Sequence, residues 1–389
     1  MALLLLGAAG CSGELFLGEA DDGGSGGIDG GRDLAGRGDG GPGDLRAGCS
    51  GVTCGAHARC DAGTGRCACE PGFDGDPGAG CSPRLPCGMC PRFAHCDPGS
   101  RTCACDPGYQ QGGGQCVAAP IVDPGRRSPS EVCAAWRRGR VTVDPSPWKA
   151  GPSRCDPGSM SRAGLDDTLR RIDLFRWLGG LYPVVDDAGW NARDQQCAVM
   201  LAANGSLNHM PPMGWQCWTQ DAYAAASTSN LAAGVGNAAD SIDLYMADSG
   251  VPSLGHRRWV MNPPLNRVGI GYASGFSCLH VFDGGNQPSP LRWQAVPNPG
   301  PVPLPLAQYA AWSIHGLFAS MQTTVQVRRV DDGADLPVKL QQLPLGYGGE
   351  AIGFARMGWN VEAGRTYRVQ VTGVAIGNLS YDVQPIACP

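Results

Sequence analysis

Nineteen cysteines in 389 residues constrain this chain more than any other feature. They fall into groups of one, six, six and six. Cys11 stands alone. Cys49, Cys54, Cys60, Cys67, Cys69 and Cys81 form the first six, and Cys87, Cys90, Cys96, Cys103, Cys105 and Cys116 the second. Cys133, Cys155, Cys197, Cys217, Cys278 and Cys388 are spread over the remainder. Even sets imply disulfides, and disulfides imply an oxidising, extracytoplasmic compartment. Zinc is the competing use of closely spaced cysteines. The pairs Cys67/Cys69 and Cys103/Cys105 are too close for the usual knuckle spacing, so disulfides are the expected state.

The N-terminus fits the same compartment. Residues 1–11 read as a secretion signal, a short apolar run closing on small residues. The stretch Ala8-Ala9-Gly10-Cys11 resembles a bacterial lipobox, which implies cleavage before Cys11 and a lipid on its thiol. The membrane partner would then be reached through that anchor. An ordinary secretion signal is the alternative, because no Lys or Arg precedes the apolar run. No apolar run reaches about 18 residues, so a spanning helix is not expected. With a net charge of −5 and no basic block, nucleic acid is not an expected partner.

Composition divides the rest. Residues 12–48 are Gly- and Asp-rich and read as a flexible linker. In 49–116 a cysteine pattern repeats, with Cys60 through Phe73 matching Cys96 through Tyr109. These are two modules, 49–81 and 82–116, each too small to hold a core without disulfides. They resemble epidermal-growth-factor-like modules. That resemblance implies pairing first to third, second to fourth and fifth to sixth. The pairs would be Cys49–Cys60, Cys54–Cys67 and Cys69–Cys81, then Cys87–Cys96, Cys90–Cys103 and Cys105–Cys116. Such modules bind proteins or serve as stiff spacers, and spacing is the reading preferred here. Residues 117–160, rich in Pro, Arg and Gly, read as a linker looped by Cys133–Cys155.

Periodicity then changes. Leu165, Leu169, Ile172 and Phe175 recur at helical spacing. Further helices are expected from about 190 to 204 and from 238 to 248, followed by strands at 268–273 and 278–282. From 301 to 389 the period becomes two: Val325 and Val327, Tyr367 with Val369 and Val371, then Leu379, Tyr381 and Val383. The fold class is therefore α+β, ending in a β-sandwich.

Three linked motifs lie between 161 and 283. One runs from Cys197 to Pro212 and contains Leu207-Asn-His209. Another is Ser229-Asn230-Leu231. The third is Gly255-His256-Arg257-Arg258, followed by Val268-Gly-Ile-Gly271. In order and spacing this segment resembles the CAP superfamily, the cysteine-rich secretory, antigen 5 and pathogenesis-related proteins. The resemblance implies an α-β-α sandwich with both histidines in a surface cleft. Fuller members hold two His and two Glu there, a set suited to a divalent metal such as zinc. Here His209 and His256 match the histidines and Ser229 stands at the first Glu. The second Glu has no clear counterpart, and Asp240 is the nearest acid. The histidines either hold metal or hydrogen-bond within the cleft.

Ser229 with His209 or His256 would be the pair for a serine-type hydrolase. Arg257 and Arg258 would either contact an anion or sit solvated at the rim. Cys197–Cys217 is expected to bracket the His209 loop, which leaves Cys278–Cys388. The functional expectation is a lipid-anchored or secreted envelope protein that binds a protein, glycan or lipid. The alternative is a metal-assisted or serine-type hydrolase in the cleft.

Overall fold

The computed structural model describes residues 49–388, apart from Met89, Pro98, Gln287 and Phe318. The expected signal at 1–11 with its Cys11, and the expected linker at 12–48, lie outside the described residues.

Both N-terminal modules are pairs of short antiparallel hairpins. The first module holds Ala58–Asp61 with Arg66–Cys69 and Phe73–Asp76 with Gly80–Pro83. The second holds Ala94–Asp97 with Thr102–Cys105 and Tyr109–Gly112 with Gln115–Ala118. Their six disulfides follow the expected one-to-three, two-to-four, five-to-six order. The modules do not stand off as spacers. Lys149 Nζ donates to the Gly55 carbonyl at 3.2 Å, and His57 Nε2 meets buried Asp144 at 3.0 Å. In the second module Asp106 is held by His95 Nδ1 and by Arg170 Nε, each at 2.7 Å.

Residues 117–160 are not a linker. Helix α1, Pro129–Gly139, starts at a capping box in which Ser128 and Glu131 satisfy each other's backbone N–H groups, with Pro129 at the first position. It buries Val132, Ala135 and Trp136 in the main core. Cys133 on this helix bonds Cys388, not Cys155. The other two expected pairs also exchange partners: Cys155 bonds Cys217 and Cys197 bonds Cys278. The reason is layer position. Cys197 and Cys278 are both fully buried where a helix meets the sheet, whereas Cys217 closes a surface loop beside Cys155. The nine disulfides among the described residues fit an extracytoplasmic protein. Among the described residues no helix is long and apolar enough to cross a membrane.

The central segment has three layers. A four-stranded sheet runs in the order 185–186, 267–273, 276–280, 229–233, with the short first strand parallel to its neighbour and the others antiparallel. Helices α3 (Ala188–Asn204) and α4 (Gln220–Thr228) cover one face, with Met200, Leu201 and Ala226 against Leu231 and Cys278. Helices α2 (Arg162–Leu178) and α5 (Ala238–Ala247) lie on the other, with Ile172, Phe175 and Ile242 against Val268, Ile270 and Leu279.

Two glycines set the spacing of α3. A Cβ at Gly269 would stand 2.0 Å from Asp194 Oδ2, and one at Gly271 would stand 2.0 Å from the Asp194 carbonyl oxygen. Only glycine lets helix and strand approach this closely.

The C-terminal β-sandwich begins at Gln294 rather than 301. One sheet orders 294–296, 311–315, 351–356, 338–342, and the other 300–303, 379–386, 367–372, 324–329, 335–336. Its core is continuous with that of the α2/α5 side, running without a break from Val132 to Val383 around Trp312. The central segment and the sandwich therefore form one packed body, with the disulfide modules fastened to its edge.

Candidate functional site

Helix α6, Gly255–Val260, opens directly beneath the sheet edge and carries His256 in its first turn. A Cβ at Gly255 would meet the Tyr347 ring at 2.6 Å, so the glycine before the histidine lets a sandwich loop close over α6. His256 is oriented on three sides. Its Nδ1 is 2.8 Å from Asp248 Oδ1, its ring stacks on Tyr245 with centroids 5.4 Å apart, and its backbone carbonyl accepts from Asn230 Nδ2 at 3.0 Å. Asp248 is buried at the left-handed C-cap of α5, and its other oxygen accepts from the Arg257 backbone N–H. The arrangement fixes the ring so that Nε2 is the free nitrogen.

His209 lies in the exposed loop between α3 and α4. Its Nδ1 is 2.9 Å from the Ala226 carbonyl oxygen at the end of α4, which again leaves Nε2 outward. Burial on one side pushes its pKa below the ordinary histidine range. The Ala226 carbonyl opposes this, and the charge of His256 adds to the depression. A shared cleft for both imidazoles is what the family resemblance implies; in the structure each ring is held by its own partner, His256 by Asp248 and His209 by the Ala226 carbonyl. Leu207, Met210 and Met213 on the same loop remain exposed, at 42%, 66% and 78%.

The remaining expected residues lie elsewhere. Adjacent strand residues point to opposite faces, so Asn230 faces the α5 side beneath His256 while Ser229 faces α3. Ser229 is buried and its Oγ donates to Asp194 Oδ1 at 2.7 Å, not to a histidine. Burial pushes the Asp194 carboxyl well above the ordinary carboxylate range, and its Oδ2 has no hydrogen-bond partner among the described residues. Asp240 is no counterpart of a second glutamate either. It is engaged with Asn237, the N-cap of α5, whose amide donates to it at 2.9 Å.

Arg257 and Arg258 are neither anion contacts nor solvated rim groups. They are 0% and 1% exposed. Arg257 donates to the carbonyls of Met246, Ala247 and Ala311 and to Ser313 Oγ. Arg258 donates to the carbonyls of Ser253, Pro344 and Gly349. Together they bolt α6 to the sandwich. Arginine suits this role because its planar fork offers five donors and keeps its charge.

Three residues at or near the site were not anticipated from sequence. Asp248 precedes His256 by eight positions and had no motif to mark it. Asp194 was hidden inside a helix. His280, opposite Ser229 in the sheet, has Nδ1 3.0 Å from Thr228 Oγ1 and its ring 4.2 Å from that of Trp190.

A divalent metal fits this donor set poorly. His209 and His256 supply two nitrogens, Ser229 is committed to Asp194, and Asp248 is occupied with His256 Nδ1. Catalytic zinc needs three protein ligands and structural zinc four. Among the described residues no group of three or more His, Cys, Asp or Glu is arranged to hold a metal ion.

Residues 169–281 match the family model described as CAP, the cysteine-rich secretory protein family. No curated protein and no solved structure matches the chain.

Proposed function

We propose that this chain, which carries a CAP domain at residues 169–281, is an extracytoplasmic binding protein held at the cell surface by a lipid on Cys11. Its work there is non-catalytic attachment to a protein, glycan or lipid through the cleft of His209 and His256. The two disulfide modules, EGF-like in their cysteine pairing, are fastened to the same body through Lys149 and Arg170.

One observation carries this reading. Side chains that would serve hydrolysis or anion capture are consumed inside the fold, while the two oriented imidazoles and the exposed Leu207, Met210 and Met213 stay open. An apolar rim beside hydrogen-bonding rings suits recognition. No resident metal is part of the proposal. The second reading, a hydrolase, draws on the Asp248–His256 pair, since a carboxylate that orients an imidazole is also how a general base is set.

The test is retention of the purified full chain on the surface of its producing cells. We expect His209→Ala and His256→Ala to raise the half-saturating concentration by about tenfold, the scale of a lost central contact. Unfolding midpoints should change little. Equal retention of both variants and wild type would remove the cleft from the binding surface. Ester turnover lost in Asp248→Asn would instead support the hydrolase.

A further inference from the structure

We propose that the C-terminal sandwich carries a second binding site, a groove for a neutral oligosaccharide, apart from the histidine cleft. The groove has a volume of about 640 Å³ and lies at the edge of the five-stranded sheet. It exists because the edge strand is short. Gly300–Pro303 pairs only with Val383–Ile386, so residues 379–382 have no strand beside them on that side. Gly300, at a φ of +76°, closes one end: a Cβ there would stand 2.9 Å from Gly125 Cα, so two backbones meet as a fixed wall.

The lining selects the ligand class. Alternation along the strands at 367–372 and 379–386 turns Tyr367, Val369, Val371 and Val383 into the core and leaves Arg368, Gln370, Ser380 and Gln384 outward. Asp382 lies directly across from Arg368, and the two pair through both guanidinium contacts, at 2.8 and 2.9 Å. Arg126 and Asp123 add one more charge of each sign, so the groove is neutral as a whole. A phosphate or sulfate ligand would call for an excess of positive charge. A lipid would call for an apolar lining. Paired charges, two amides and a hydroxyl are groups that both donate and accept, as sugar hydroxyls do.

Trp293 forms the apolar part of the wall, half-buried against Tyr381 with ring centroids 5.3 Å apart. An indole wall suits the C–H face of a sugar ring. Behind it the Tyr381 hydroxyl is buried with no hydrogen-bond partner among the described residues.

The test is calorimetric titration of the full chain with four neutral hexasaccharides: cellohexaose, N-acetylchitohexaose, maltohexaose and mannohexaose. A heparin hexasaccharide serves as the anionic comparison. We expect at least one neutral sugar to bind with an affinity indifferent to salt, because no net charge is matched. Trp293→Ala should weaken it by about tenfold, as for other aromatic anchors. Gln370→Ala, an exposed change that spares the core, should weaken it by about fivefold, the scale of one neutral hydrogen bond. The proposal is overturned if none of the four binds at millimolar concentration, or if binding ignores both substitutions. Tighter, salt-sensitive binding of the heparin fragment would equally overturn it. So would binding of an extended peptide along the open strand edge in place of sugar. The readout is sugar binding itself, so it stands or falls separately from attachment through the cleft.

Discussion

Gly271→Ala should leave little folded protein. The added Cβ would lie 2.0 Å from the carbonyl oxygen of Asp194 and 2.5 Å from the Gln195 nitrogen, both backbone atoms of α3. No rotamer change can relieve a clash with backbone. The helix must lift off the sheet, which opens the layer holding Met200, Leu201 and Cys197. Overpacking alone costs about 1–3 kcal/mol. Displacing a whole helix adds lost burial at about 25 cal/mol per Å². Against a total stability of about 5–15 kcal/mol, we expect a sharp fall in secreted yield and a much lower denaturant midpoint. Gly284→Ala, where nothing lies within 4 Å, is the control and should shift stability by no more than about 0.5 kcal/mol. An unchanged midpoint for Gly271→Ala would refute the close packing of α3 on the 267–273 strand.

Arg257→Met should uncouple the two halves of the body. Arg257 is fully buried and its guanidinium serves the end of α5 through Met246 and Ala247 at 2.7 and 2.9 Å. It serves the sandwich through Ala311 at 2.8 Å and Ser313 at 3.2 Å. Methionine keeps much of the volume and removes every donor. Three carbonyls would be left without that donor, each costing about 1–3 kcal/mol when buried. We expect a loss on the order of 4 kcal/mol and thermal unfolding in two steps where wild type shows one. A second readout lies next door. Burial, with the charges of Arg257 and Arg258, holds the His315 imidazole down to about 3. Removing one of those charges should let its pKa rise, as followed by NMR titration. Single-step unfolding at the wild-type temperature would show that the bracket contributes nothing.

Much of the central architecture was legible in the residues. Spacing of Leu169, Ile172 and Phe175 located α2, and Val268-Gly-Ile-Gly271 marked a strand, though not the close approach of α3 that its glycines allow. Alternation through Tyr367 and Val371 marked the sandwich. What failed shares one physical cause, because burial depends on contacts between residues far apart in sequence. Arg257 and Arg258 read as surface cations because arginine is rarely buried, and only the sandwich's carbonyls explain their burial. The cysteine partners exchanged because pairing follows layer position, which six loosely spaced cysteines do not encode. Helix α1 was missed for a different reason: Pro, Arg and Gly in the surrounding stretch masked a Ser128–Glu131 capping box that was there to be read. At the candidate site, the motifs singled out both histidines. Asp248 was not, since its role depends on a left-handed turn that brings it back over His256.

We propose that the cleft works as an open pair of oriented imidazoles, without a metal. Its most direct test is elemental analysis of the full chain, purified without chelator and equilibrated with micromolar zinc. We predict far less than one zinc per chain, with His209→Ala and His256→Ala indistinguishable from wild type. One zinc per chain, lost in both variants, would contradict the account and turn the cleft into a metal site whose remaining ligands must then be sought.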